Sequence, residues 1–239
     1  MYGNLSIVYD KLMDVDYASY KNIIKNELKD KNNLFILDLG CGSGNLTSIL
    51  AEYGKVFAID VSEDMLAIAS SKCPEATYFC LDLLDLEILD MKFNFIISAF
   101  DVFNYLNDFD EFKKGLKSVY NSLEKDGTFI FDIHTPKKIK YMLENQPFAY
   151  EDDDISYLWF TFDTENDLEV ESELTFFIKE KDDLYKKMYE YQKQRTYYIE
   201  YIIKLIKDLG FNIDSYFCDF DSNNKNYEES DRIIFKLSK

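Results

Sequence analysis

Apolar positions along the chain change period several times, and each change marks an element. Tyr20, Ile23, Ile24 and Leu28 recur at helical spacing, which predicts an amphipathic helix over residues 17–31. A short apolar run, LFILDL at 34–39, then reads as a buried strand that stops at the glycine-rich stretch 40–44. A helix is expected from Asn45 through Leu46, Ile49 and Leu50. The alternation repeats with a strand at 56–59, a helix near 62–70, a strand at 77–80, a short acidic connection and a strand at 93–98. A helix at 109–123 and an Asp126-Gly127 turn lead to a strand at 128–133. Strands separated by helices imply a mostly parallel sheet with right-handed crossovers.

The rhythm then changes. Residues 155–163, 168–179 and 184–197 alternate or run apolar with no long helical segment between them, and Glu165-Asn166-Asp167 and Lys181-Asp182-Asp183 suit tight turns. Three added antiparallel strands are the simplest expectation. Helical spacing returns over 198–209 and stops at Gly210, and two final strands are expected at 211–220 and 232–237, joined by a polar hairpin loop. The fold class is therefore α/β: a Rossmann-like sheet with helices on both faces and a small antiparallel β insertion. We divide it into an amino-terminal lid with the first part of the main domain (1–147), the β insertion (148–197) and the closing helix with its strand hairpin (198–239).

Composition narrows the function classes. With 239 residues, 47% of them apolar, the chain has enough material for a buried core. Its 45 acidic against 27 basic residues, a formal charge of -18, repel phosphate backbones and anionic membrane surfaces, so nucleic acid is disfavoured as a partner. No stretch approaches the roughly 18 apolar residues of a membrane helix, and the amino terminus lacks a signal pattern. Cys41, Cys73, Cys80 and Cys218 form no C-x-x-C pair, and His134, the only histidine, completes no zinc set with them. Reduced thiols in a cytoplasmic protein are expected. Nothing in the residues specifies an oligomeric state.

The chemistry sits at the strand ends. Asp38-x-Gly40-x-Gly42-x-Gly44 falls at a strand-to-helix turn, where missing β-carbons let backbone approach a ligand. The third glycine comes one position too early for a dinucleotide G-x-G-x-x-G, which disfavours a nicotinamide dehydrogenase and favours a nucleoside without a pyrophosphate. Asp60 ends the next apolar strand, where a carboxylate accepts from both ribose hydroxyls. Asp82 follows the third strand, placed to accept from an adenine amino group, and its neighbour Leu83 offers a backbone N–H to the ring.

ILDLGCGSGN, AIDVSEDML and CLDLLDL resemble the first three motifs of class I S-adenosylmethionine-dependent methyltransferases. The resemblance spans essentially the whole chain and implies a seven-stranded sheet whose last strand is antiparallel and inserts beside the fifth. It implies S-adenosylmethionine as cofactor. Carried over, Gly40, Gly42 and Gly44 line the methionyl moiety, Asp60 binds the ribose with Val61 beside it, Met65 covers an adenine face, and Ser98 to Phe100 end against the methionine. A lid carrying Tyr9 is expected to close on the site.

The strands inserted after the fifth one, and the tyrosines near the amino terminus, resemble the layout of amino-sugar N-methyltransferases and glycine N-methyltransferase. In EYQKQRTY, Arg195 and Tyr197 match a segment of such relatives, but Gln192 stands where they carry a histidine, so a mechanism using that histidine as base is not available. The expected function is metal-independent methyl transfer to nitrogen or oxygen of a small-molecule acceptor. Methyl transfer from a sulfonium needs chiefly positioning and desolvation, while an alcohol acceptor also needs a base. Asp101, Tyr105 and His134 are the catalytic candidates, with Asn104 beside them. Tyr157, Trp159, Phe160 and Phe162 are candidates for acceptor contacts, weighed against simple packing of the insertion. No proline pair follows Ser98, unlike the amino-methylating nucleic-acid enzymes, and the acidic run from Glu151 to Asp154 is expected to be a solvated loop. The alternatives are a non-catalytic sensor or interaction protein that binds the same cofactor, and a protein or nucleic-acid methyltransferase.

Overall fold

A computed structural model describes residues 17–181 and 184–239; Tyr9 and the expected lid lie outside the described residues. Among the described residues eleven strands fall into two sheets. The larger contains β1 (Leu34–Leu39), β2 (Gly54–Asp60), β3 (Thr77–Cys80), β4 (Phe93–Ser98), β5 (Leu123–His134), β10 (Asn212–Cys218) and β11 (Arg232–Ser238), in the order β10-β11-β5-β4-β1-β2-β3. All neighbours from β5 to β3 pair in parallel, and β11 runs antiparallel between β10 and β5.

Alternation along these strands builds a core on each face. Leu37 and Leu39 of β1 join Phe129 and Phe131 of β5 beneath α4 (Phe109–Ser122) and α6 (Ile199–Asp208). Ile36, Phe95, Ile130 and Ile234 face the other way, onto α1 (Tyr17–Glu27) and the short α2 (Thr47–Leu50). Asp38 and Asp132 share that second face by parity, which brings two acids beside an otherwise apolar layer. α3 (Glu63–Lys72) is capped by Ser62, whose hydroxyl accepts from the Met65 N–H, and buries Met65, Leu66 and Ala69.

Several expectations are corrected. The insertion has four strands, not three: β6 (Phe148–Glu151), β7 (Ile155–Asp163), β8 (Glu169–Lys181) and β9 (Leu184–Arg195) form a separate antiparallel sheet in that order. Before it stands an unforeseen helix, α5 (Pro136–Asn145), with Thr135 as N-cap and proline at its start. The Asp126-Gly127 turn is a bulge inside β5 rather than its beginning: Asp126 has φ 63°, and the register with β4 jumps there. The acidic run splits between the end of β6 and a tight turn in which Asp152 accepts from the N–H groups of Asp154 and Ile155.

Candidate cofactor cavity and buried charge cluster

A cavity of about 280 Å³ opens at the carboxyl ends of β1, β2 and β4. This is where an open α/β sheet places its ligands. Its wall runs from the glycine loop (Gly40, Cys41, Gly42, Ser43) past Asp60, Val61 and Met65 to Asp82 and Leu83, and closes with Ala99, Phe100, Val102, Tyr105 and Tyr17. The two glycines on the wall act differently. A β-carbon on Gly40 (φ 75°) would stand 2.5 Å from a Val102 methyl, while one on Gly42 (φ 52°) would meet nothing within 4 Å. Gly40 therefore secures close packing, and Gly42 leaves bare backbone towards open space.

The remaining glycine-loop candidate departs from this pattern. Gly44 is not on the wall; its missing β-carbon lets α3 approach, since one added there would lie 2.8 Å from Ala69 Cβ. Ser98 is also off the wall, fully buried at the end of β4.

Three carboxylates shape the cavity. Asp38 accepts from the Thr47 hydroxyl at 2.6 Å. Burial pushes its pKa up to about 7, opposed by that hydrogen bond and reinforced by the nearby charge of Asp60. Asp60 accepts from the N–H groups of Gly42 and Ser62, both at 2.9 Å, which ties the glycine loop to the end of β2; burial raises its pKa as well. Asp82 accepts from Leu84 N–H at 2.8 Å and starts a 3-10 turn at the cavity wall.

The catalytic candidates divide. Tyr105 lies on the wall, with its hydroxyl 3.4 Å from Gln192 Oε1. Asp101 and His134 are not on the wall but are brought together: Asp101 Oδ1 lies 3.5 Å from His134 Nε2 and 2.8 Å from Arg232 Nη2, and Gln194 donates to Asp101 Oδ2 at 2.6 Å. Burial would raise the Asp101 pKa, but the charge of His134 when protonated and the charge and hydrogen bond of Arg232 outweigh it, and the carboxyl ends below its ordinary value. Burial pulls His134 down, against the opposing pull of Asp101, so its neutral form is favoured. Asn104 is buried and structural: it accepts from His134 N–H at 3.0 Å and donates to the Arg195 carbonyl at 2.7 Å.

The insertion aromatics do not gather at the cavity. Tyr157 packs against Ile155 and Phe176, Trp159 packs with Ile139, Met142 and Val170, and Phe160 and Phe162 are about 40% exposed on the opposite face. The insertion reaches the site instead through β9, by the bonds of Gln192, Gln194 and Arg195 just described. Sequence reasoning missed Thr47, Tyr20, Asp132, Gln194 and Arg232. Asp132 carried a signal, a lone acid within the apolar run FIFDI; its partners are set by long-range pairing and carried none. Among the described residues no group of three or more histidine, cysteine or acidic side chains is arranged to hold a metal ion.

Comparison with known proteins gives four further findings. Residues 36–127 match the family described as "Methyltransferase domain". YqeM of Bacillus subtilis, named as a methyltransferase, is 31% identical over all of this chain and 97% of its own length. A crystal structure of an S-adenosylmethionine-dependent methyltransferase from Clostridium acetobutylicum superposes with a TM-score of 0.87 at 33% identity, covering 98% of this chain and 97% of that one. The fold also matches CalS10 of Micromonospora echinaspora, an amino pentose methyltransferase with S-adenosylmethionine bound, at TM-score 0.72 and 13% identity over 100% and 98% of the two chains.

Proposed function

Because this chain belongs to the S-adenosylmethionine-dependent methyltransferases, we propose that it transfers a methyl group to nitrogen or oxygen of a small-molecule acceptor, without a metal, in the cytoplasm. The cavity fits the cofactor on its own terms. Gly42 leaves backbone facing open space, which supports its role at the methionyl end; Asp60 on the wall would accept from ribose hydroxyls, and Met65, Val61 and Leu83 would offer apolar faces beside Asp82 for adenine. When bound, S-adenosylmethionine supplies a methyl group on a cationic sulfonium.

The observation that carries the small-molecule reading is the docking of β9 onto the segment after β4. Gln194 grips Asp101, Tyr105 meets Gln192, and Asn104 holds the Arg195 carbonyl. Through these bonds the second sheet packs against the segment that carries Phe100 and Tyr105 at one end of the cavity, which supports a compact acceptor held beside that end better than a polymer lying across an open groove. Tyr105 is our candidate to orient the acceptor. Asp101 and His134, off the wall and 3.5 Å apart, are our candidates for proton acceptor where the acceptor must lose a proton. The likeness to an amino pentose methyltransferase agrees with this reading. No helix among the described residues is long and apolar enough to cross a membrane.

The test is calorimetric titration with S-adenosylmethionine, S-adenosylhomocysteine and NAD, followed by methyl-product detection against pooled amines and alcohols, with and without exhaustive chelation. We expect both adenosyl ligands to bind, NAD not to, and turnover to survive chelation. Binding without transfer to any pool would favour a sensor, and transfer only to protein or nucleic acid would refute the acceptor class.

A further inference from the structure

Phe100 and Asp101 are consecutive non-glycine residues with φ of 67° and 55°. Left-handed backbone is strained for a residue with a β-carbon, so two in succession need something to hold them. Both of their N–H groups end on one carboxylate: Phe100 N donates to Asp132 Oδ1 at 2.7 Å and Asp101 N to Asp132 Oδ2 at 2.9 Å. Asp132 is fully buried, and it too needs compensation. Arg232 supplies it with a forked contact, Nη1 on Asp132 and Nη2 on Asp101, and the Tyr20 hydroxyl donates to Asp132 as well. The Phe100 ring is then wedged edge-on against Tyr17 and Tyr20, with centroids 4.9 and 4.6 Å away.

Neither Asp132 nor Arg232 touches the cavity, yet Ala99, Phe100, Val102 and Tyr105, all on or next to the held turn, form one end of its wall. We propose that Asp132 and Arg232 are positioning residues for methyl transfer: they fix the left-handed turn at Phe100 and Asp101 and so set the shape of the wall against which the methionyl end of the cofactor is held. This rests on the assignment of the cavity to S-adenosylmethionine. The register that pairs Arg232 with His134 and Ile234 with Asp132 makes β11 part of the site, although none of its side chains lines the cavity.

The experiment is a double-mutant cycle read by S-adenosylhomocysteine affinity. Asp132→Asn keeps the shape but loses the charge and one acceptor, and should weaken binding about ten-fold. In a Phe100→Gly background, where glycine adopts positive φ without strain, the same substitution should cost less than about three-fold. Arg232→Lys, which keeps the charge without the fork, should fall between the parent and Asp132→Asn and supplies the comparison if Asp132→Asn does not fold. Independently, backbone carbon shifts of Phe100 and Asp101 in the substituted protein should leave the left-handed range. Unchanged affinity, an equal loss in both backgrounds, or unchanged shifts would overturn the proposal. Failure of the unsubstituted protein to bind S-adenosylhomocysteine would instead refute the cavity assignment, and the shift measurement would still decide whether Asp132 holds the turn.

Discussion

Asp38 is only 2% exposed and shares its layer with Ile36 and Leu50. Its pKa rises from an ordinary 3.8 to about 7 on folding. The folded chain thus binds this proton more tightly than the unfolded chain does. The stability contributed by protonated Asp38 is complete below the unfolded pKa and is lost as pH rises through about 7. A shift of about three pH units at 1.36 kcal/mol each corresponds to roughly 4 kcal/mol against folding at pH 8. Asn at this position carries no charge, and its carbonyl still accepts from Thr47. Asp38→Asn should therefore match the parent near pH 4 and exceed it by up to about 4 kcal/mol at pH 8, with most of the gain appearing between pH 4 and 7. Urea denaturation of both proteins at pH 4.5, 6 and 8, without ligand, measures the difference directly. A stability difference that is flat across this range, or one that favours Asp38 at high pH, would refute the reasoning.

Two further substitutions test the cavity wall. Gly40→Ala combines a φ of 75° with a β-carbon 2.5 Å from Val102, so it should cost about 2–4 kcal/mol in urea denaturation; a loss below about 0.5 kcal/mol would show that the loop relaxes freely. Asp60→Ala removes the acceptor for Gly42 and Ser62 N–H together with the expected ribose contact, and should weaken S-adenosylhomocysteine binding by about 1.5–3 kcal/mol. Calorimetry showing unchanged affinity would remove Asp60 from the site.

What could be read in advance follows the range of the forces involved. β1 and β4 lie where the apolar runs put them because each is a mostly buried segment with sharp ends, Gly40 closing β1 in particular, while β3, half-buried to exposed at the sheet edge, is placed by its short run TYFC. The seven-stranded order and the antiparallel last strand came from the motif resemblance, since apolar period alone does not set strand order. β6 escaped notice because FAYE is short and mostly exposed, so no apolar run announced it. α5 had a usable signal in Thr135-Pro136, a cap followed by a proline at the first helical position. At the site, Asp38, Gly40, Gly42, Asp60, Met65, Asp82 and Leu83 are close in sequence to the strand ends that carry them, and the cavity wall includes them all. The cluster around Asp132 depends instead on the β5–β11 register and on which face of α1 meets the sheet, neither of which is written locally. Gln194 likewise reaches Asp101 only because the second sheet docks there.

The span of that cluster bears on how the protein acquires its activity. Tyr20 meets Asp132 across 112 positions of chain, and Arg232 meets Asp101 across 131. Contacts of such separation form late, because loop-closure entropy must be met before they contribute. A chain in which β1 to β4 were together but the cluster around Asp132 not yet formed would lack the support of one end of its cavity wall. Such a chain should bind the methyl donor poorly, so ligand discriminates between finished and unfinished molecules. At a concentration of one hundred times the dissociation constant, donor binding would favour the finished fold by about 2.7 kcal/mol. Cellular supply of the methyl donor would then act on the amount of folded enzyme as well as on its turnover.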